Sequence, residues 1–476
     1  MVKNRLFIKG VVVFLTYLPL VAELAKLPAA SGNGILIDAV HCNDYSDIGL
    51  QKDNFEYHQI SGYRFGFDYL KHRGVPCERM LEGRLSDEVL AKHKVLMINL
   101  VSADKSPFLV SEINAIVKFV SEGGGLMVIT DHTNCYFHSH ILEPLFTEFG
   151  IESTRDTACD RFGNTLSAGN GWLKISRFEK HPVTDRLRFL GTQTGGTVDK
   201  RFAVAFTSED AWPDNWICTP YFHGMTPGFY GNFVQDLDEP TGKLGVVLAK
   251  EHGKGRIVIV ADQNIFADTF LNYADNYKLW LNAFSWLLEH ESLNDSEAYV
   301  EWKSPHIWAV EDFARVEFGS DSNFGMNNAW NVLNRHFWTF ASDRIPSKTD
   351  CDLAVIVDGY VVLPEETVAD LAAHLRQGKN VLALHTTTES LESEGSVIYE
   401  LLDTCKVESP KFEKSGDAET LTLSGGGKLI LYGGETQFTN NPMPSASSKP
   451  NEDEQNVAET LKTIVEQAKS SKPQTE

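Results

Sequence analysis

GGGLMVITDHTNCYFHSH, residues 123–140, decides how this chain is read. Its first part, GGGLMVI, is an apolar run entered from a glycine turn, the pattern of a buried β-strand. The residues that follow it, ILEPLFTEFG (141–150), have the spacing of a helix. A strand that hands over directly to a helix is half of a βαβ unit, and such units build parallel sheets. At the handover lie Asp131, His132, Asn134, Cys135, His138 and His140, a mixture of acid, amide, thiol and imidazole. His138 and His140 form an H-x-H at the mouth of the helix, where exposure to solvent accounts for them.

Strand and helix alternate in both directions from this point. GILIDAV (34–40) is a short strand ending at Asp38, and SGYRFGFDYLKHRG (61–74) is a helix that stops at Gly74. KVLMINL (94–100) is a second buried strand, ending in Asn99. In SPFLVSEINAIVKFVSEGGG (106–125), Ile113, Ile116, Val117 and Val120 share one helical face, and the glycines end the helix. KLGVVLAKEHGKGRIVIVAD (243–262) is two strands joined by HGKG, and NYKLWLNAFSWLLEH (276–290) is a closing helix with Trp280, Phe284 and Leu287 on its apolar side. The rhythm fails only over 160–243, where WLKIS and RFAVAF mark a β-rich insertion with long loops. The fold class is α/β, a parallel sheet with helices on both faces.

Residues 305–437 repeat the plan. CDLAVIVDGY and LPEETVADLAAHLRQGKNVLALHTT echo KVLMINLV and FLVSEINAIVKFVSEGGGLMVITDHT, with Asp358 and His385 as the polar counterparts. They read as a second, smaller α/β domain and a diverged partial copy of the first. The chain then divides into a leader over 1–30, the first domain over 31–295, this second domain, and a disordered tail over 438–476 that ends in a terminal helix.

A chain of 476 residues accommodates two or three domains, and its 42% hydrophobic content fills real cores. The net charge of −22 speaks against nucleic acid and against anionic membrane surfaces as partners. In the leader, Lys3, Arg5 and Lys9 precede GVVVFLTYLPLVA and the small residues of LPAASGNG. That is a signal peptide or, since no tidy A-x-A follows, an uncleaved N-terminal anchor. Either way the protein is expected to be exported, to the periplasm or the outside, with no membrane span beyond that anchor. Seven cysteines, 42, 77, 135, 159, 218, 351 and 405, are scattered without a C-x-x-C, which excludes a zinc ribbon and a disulfide scaffold.

Open α/β sheets bind their ligands at the carboxyl ends of the strands. Here those ends carry Asp38 with His41, Asn99, Asp131 with His132, and Asp262 with Asn264. An aspartate at a strand end commonly caps the next helix, but all four positions being polar points to a ligand site. Asp131, His132, Asp38 and Asp262 are types that hold a divalent ion such as Ca²⁺, Mn²⁺ or Zn²⁺. The same types hydrogen-bond sugar hydroxyls, and Trp172, Trp212, Trp216, Tyr221, Phe222, Phe229 and Tyr230 supply rings for stacking, or else fill a satellite core. The glycines of GNGW (169–172) and GTQTGGT (191–197) lack phosphate-loop spacing.

HPVTDRL (181–187), GKGRIVIVADQNIF (253–266) and NAFSWLL (282–288), taken in this order after GGGLMVI, resemble the class I glutamine amidotransferase-like superfamily. The resemblance is to its non-amidotransferase branch of exported bacterial proteins, with gliding-motility, intraflagellar-transport and ThuA-like relatives, and it covers roughly 34–290. It implies a flavodoxin-like sheet. Amidotransferases of the superfamily carry a cysteine on a G-x-C-x-G elbow and a later His-x-Glu. This chain has Thr130-Asp131-His132 at the elbow position without flanking glycines, Cys135 several residues further on, and Asp262-Gln263-Asn264 in place of His-x-Glu. Two functions are left open. One is an exported, non-catalytic binding or scaffold protein whose polar rim takes a carbohydrate or a partner protein. The other is a metal-dependent hydrolase of an extracellular carbohydrate or ester, its nucleophile a metal-bound water.

Overall fold

The structure, a computed structural model, describes residues 32–42, 62–166, 169–216, 231–290, 292–295, 306–313, 316–320, 325–345, 351–357, 362–389, 396–433, 459 and 463. The leader, Asp358, Tyr221, Phe222, Phe229, Tyr230 and nearly all of the tail lie outside the described residues.

The first unit begins with β1 (Ile35–Asp38), α1 (Arg64–His72), β2 (Cys77–Met80), the single turn α2 (Asp87–Leu90) and β3 (Val95–Asn99). It continues with α3 (Val110–Ser121), β4 (Gly125–Ile129) and α4 (His138–Glu148). Short strands follow: β5 (Asp156–Cys159), β6 (Lys174–Ile175), β7 (Arg177–Phe178), β8 (Leu190–Gly191), β9 (Ala203–Phe206) and β10 (Trp212–Asn215). The hairpin β11 (Gly245–His252) and β12 (Gly255–Val260) and helix α5 (Asn276–Leu288) complete the unit. Its main sheet runs β2-β1-β3-β4-β12-β11-β9-β7. The first five of these strands are parallel, in the flavodoxin-like order 2-1-3-4-5. The fold class expected from the sequence is therefore the observed one.

Alternation along each parallel strand builds two cores. Ile35, Ile37, Val95, Met97, Met127, Ile129, Val258 and Val260 face α1 and α5. Leu36, Leu96, Ile98, Leu126, Val128, Ile257 and Ile259 face α3 and α4. Since helices cover both faces, every strand residue can be apolar, which is why these strands read as unbroken apolar runs. Helix α5 departs from its expected single apolar side. Leu279, Trp280, Leu281, Ala283, Phe284 and Leu287 are all buried, because the second unit and the loops of the insertion cover the side away from the sheet. Within the insertion, β9 pairs antiparallel with β11 and β7 pairs antiparallel with β9, so that both extend the main sheet.

The second unit comprises β13 (His306–Val310), α6 (Asn327–His336), β14 (Trp338–Ser342), β15 (Leu353–Val357), α7 (Glu365–Arg376), β16 (Asn380–Leu384), α8 (Val397–Thr404), β17 (Glu413–Ser415), β18 (Ala418–Thr422) and β19 (Lys428–Tyr432). Its sheet runs β14-β13-β15-β16-β19-β18-β17. Five strands are again parallel in the order 2-1-3-4-5, and an antiparallel strand again flanks the fifth. The two units share cores: Trp338 and Phe340 belong to the first, and Leu166, Phe270, Tyr273 and Ala274 belong to the second. Six cysteines among the described residues are free thiols, and no described helix is long and apolar enough to cross a membrane.

Candidate functional site

The strand order brings the sequence-marked residues to one edge, in the row Asp38, Asn99, Asp131, Asp262. Chain reversal between β1 and β3 makes their carboxyl ends the topological switch point, the place where open α/β sheets take ligands. On the β1 side the groups pack against one another, with only His41 Nε2 left without a hydrogen bond of ordinary geometry among the described residues. Asp38 Oδ1 accepts from the backbone N–H of Val40 at 2.9 Å, and Oδ2 lies 2.8 Å from His41 Nδ1. The His41 ring stacks on Phe108 with centroids 4.2 Å apart, and its Nε2 is 3.5 Å from Glu112 Oε1. Glu112 in turn accepts from the N–H groups of Leu85 and Leu109, both at 2.9 Å. A backbone bridge between Cys42 and Val101 pulls the two exit loops together above this cluster.

Asn99 is different. It is 0% exposed, yet neither its Oδ1 nor its Nδ2 makes a hydrogen bond of ordinary geometry among the described residues. Tyr63 stands beside it; the Tyr63 hydroxyl donates its hydrogen to the carbonyl of Gln263, and its oxygen remains free to accept from the Asn99 amide. Buried carboxamides are almost always satisfied, so one with both atoms unpaired in the middle of the row is an exception to the rule.

Asp131 and Asp262 form a pair. Ile129 is in register with Val260, and each aspartate lies two residues further on, so neighbouring parallel strands carry both carboxylates at one level. Burial first, and then the charge of Asp262, hold the Asp131 carboxyl well above its usual range. Burial raises Asp262 to about 7 even though Gln193 and Asn264 donate backbone N–H groups to it at 2.7 and 2.8 Å. Asn264, half-buried, serves here through its backbone. The 191–197 loop crosses over these strand ends, with Gly196 donating to the carbonyl of Ala261 at 2.6 Å. A Cβ on Gly195 would sit 2.6 Å from that carbonyl oxygen and 2.8 Å from Asp262 Cβ, so only glycine lets the loop lie this close. Gly195→Ala should lower stability by about 1–3 kcal/mol; an unchanged urea midpoint would show that the loop does not close on the strand ends.

The exit from β4 is a tight, irregular turn: Thr133, Tyr136 and Phe137 all have positive φ. It folds Cys135 and His132 back toward Asp131, and one ligand atom from each of these three lies within 4.8 Å of the others. His138 is buried at the start of α4, in contrast to the solvent exposure expected at a helix mouth, while His140 is exposed and lies edge-on to Trp216. The contact between Cys135 and His138 does not activate a nucleophile. His138 Nδ1 is 2.8 Å from the carbonyl oxygen of Cys135, which can only accept, so that nitrogen carries the proton and cannot take another from the thiol 3.7 Å away. Burial, and then the Asp131 charge, push the Cys135 thiol well up, and burial lowers His138 to about 4.

A single ion held by Asp38, Asp131, His132 and Asp262 does not fit the sheet. Three strand spacings separate β1 from β12, about 14 Å, too far for two aspartates to share one cation. The residues that do converge are Asp131, His132 and Cys135. Tyr63 and Glu112 were not legible as site residues: Tyr63 precedes a helix, and Glu112 has the signature of a helix N-terminal cap. Of the expected aromatics, Trp212 is buried beneath Arg161, and Trp172 packs against the second core.

No curated protein matches the chain. Among solved structures, it is similar to the mmIFT52 N-terminal domain, at 14% identity over 53% of this chain and 97% of that one, with a TM-score of 0.37. It is similar to a putative ThuA-like protein from Bacteroides uniformis at 11% identity, covering 55% and 92% of the two chains, with a TM-score of 0.27. A second such protein, from Parabacteroides merdae, is 13% identical over 54% of this chain and 89% of that one, with a TM-score of 0.29. Residues 59–284, from just before α1 to within α5, match a domain of unknown function, DUF4350.

Proposed function

We propose that this is an exported, non-catalytic binding or scaffold protein of the amidotransferase-like superfamily, working in the periplasm or outside the cell. Its ligand site is the strand edge around Asn99, Asp131, His132 and Asp262. The observation that carries this reading is the unsatisfied, fully buried carboxamide of Asn99 beside the switch point. A carboxamide both donates and accepts, so its partner does the same; a sugar with vicinal hydroxyls suits it best, and a peptide group of a partner loop comes second. The absence of an activated nucleophile at Cys135 supports binding over catalysis. The second unit, with the same order of parallel strands, we take to be a diverged copy that supports the first.

Screening the full chain on a glycan array tests this. Asn99→Ala should weaken binding of any captured glycan at least tenfold, the cost of leaving a ligand group unpaired, with the melting temperature nearly unchanged. Turnover of esters or glycosides that Asp131→Ala abolishes would replace the binding reading with a hydrolase.

A further inference from the structure

We propose that Asp131, His132 and Cys135 hold a zinc ion at the exit of β4. This deepens the ligand site proposed above and rests on it only for the identity of what the zinc meets. Among the described residues this is the one group of three or more histidine, cysteine and acidic side chains whose ligand atoms converge, all lying within 4.8 Å of one another. Zinc bonds of roughly 2.0–2.3 Å in tetrahedral geometry put ligand atoms roughly 3.5 Å apart. Side-chain rotation of about an ångström therefore completes the shell.

The chemistry of the three selects the ion. Thiolate sulfur and imidazole nitrogen favour zinc over the oxygen-seeking Ca²⁺ and Mg²⁺. One thiolate and one carboxylate neutralise a divalent charge, as an interior site requires. On binding, the Cys135 thiol gives its proton to solvent and its sulfur lone pair to the metal, and a protonated Asp131 carboxyl gives up its proton as well, so uptake releases protons and changes no oxidation state. Two contacts orient the shell from outside. His132 Nδ1 lies 2.9 Å from Thr133 Oγ1, and Asp131 Oδ1 accepts from the N–H of His132 at 2.7 Å. Left-handed backbone at Thr133, Tyr136 and Phe137 turns Cys135 back toward Asp131. With three protein ligands the fourth position is open, and it would take a hydroxyl or carbonyl oxygen of the molecule bound at the rim.

The test uses the untagged full chain, kept reduced and purified without chelator, with zinc measured by mass spectrometry and with cobalt(II) as a spectroscopic substitute. Expected are near-stoichiometric zinc and a near-ultraviolet thiolate-to-cobalt band. Cys135→Ser should remove the band, and His132→Ala should weaken zinc binding at least tenfold. Asn99→Ala should keep the metal while losing the glycan, so that failure of the zinc site and failure of the ligand reading are told apart. A folded wild-type chain that takes up neither metal at micromolar concentrations, or that binds cobalt without the thiolate band, overturns the proposal without recourse to any variant.

Discussion

Removing residues 306–433 should leave the first unit aggregated rather than soluble. Trp338 and Phe340 of β14 are buried within the first unit's own core, where Trp338 meets Phe65 and Tyr69 at ring-centroid distances of 5.4 and 5.5 Å. Phe340 meets Tyr277 at 5.5 Å. Phe270 and Tyr273 pass the other way, into the second core. The backbone joins as well: Ala274 donates to the carbonyl of Ala341 at 2.8 Å, and Ala341 to that of Asn272 at 3.1 Å. Truncation would uncover at least five aromatic rings on one surface, together with unpaired backbone groups, a combination that promotes association. Trp338→Ala is the local version and should cost about 3–5 kcal/mol. Size-exclusion chromatography with light scattering decides the first claim; a monomeric, soluble 31–300 fragment would refute it. Chemical denaturation decides the second.

Raising the pH from about 5 to about 8 should destabilise the fold, with Glu311 as a principal cause. This carboxyl is 0% exposed where the units meet. It accepts from the hydroxyl of Tyr273 at 2.8 Å and from the N–H of Phe318 at 2.9 Å. Glu317, Asp312, Tyr273 and Lys174 are the titratable groups around it, and Lys174 donates to the carbonyl of Phe313 at 3.1 Å. Burial raises Glu311 to about 7 despite these donors. The fold therefore favours the protonated acid. The stability this contributes is fully present below the unfolded value near 4.3 and is lost as pH rises through about 7, on the order of 3 kcal/mol in all. Asp156 and Asp214, raised by burial to about 6, act in the same direction. Glu311→Gln imitates the protonated form, so its urea midpoint should fall less than that of the wild type between the two pH values. Equal losses in both proteins would mean that Glu311 is already ionised at the lower pH.

The parallel strands were legible because burial on both faces leaves no polar residue to interrupt GILID, KVLMIN or GLMVI. Strand order was not. Nothing local in GRIVIV says that it lies against β4, or that β1 ends three strands away from it, so Asp38 and Asp262 could be grouped as ligands that the sheet holds apart. Asp131 and Asp262 belong to one site in the sequence reading, but that they are direct neighbours follows only from register between distant segments. Cys135 was set aside for its distance in sequence from the elbow position. The left-handed turn that returns it to Asp131 carries threonine, tyrosine and phenylalanine at positive φ, where local preference gives no warning. His138 was misjudged because a helix's first turn looks polar and wet until the neighbouring strands cover it.

The position of β12 has a consequence for biosynthesis. It lies inside the sheet, between β4 and β11, and pairs Val260 with Ile129 across some 130 residues of intervening chain. Closing a loop of that length comes late and slowly, because its entropy must be lost before the contacts form. A nascent chain thus exposes the apolar edge of β4 throughout synthesis of the insertion, and its first core still lacks Trp338 when α5 emerges. The protein should depend on chaperones to a degree that its finished, thoroughly buried sheet does not suggest.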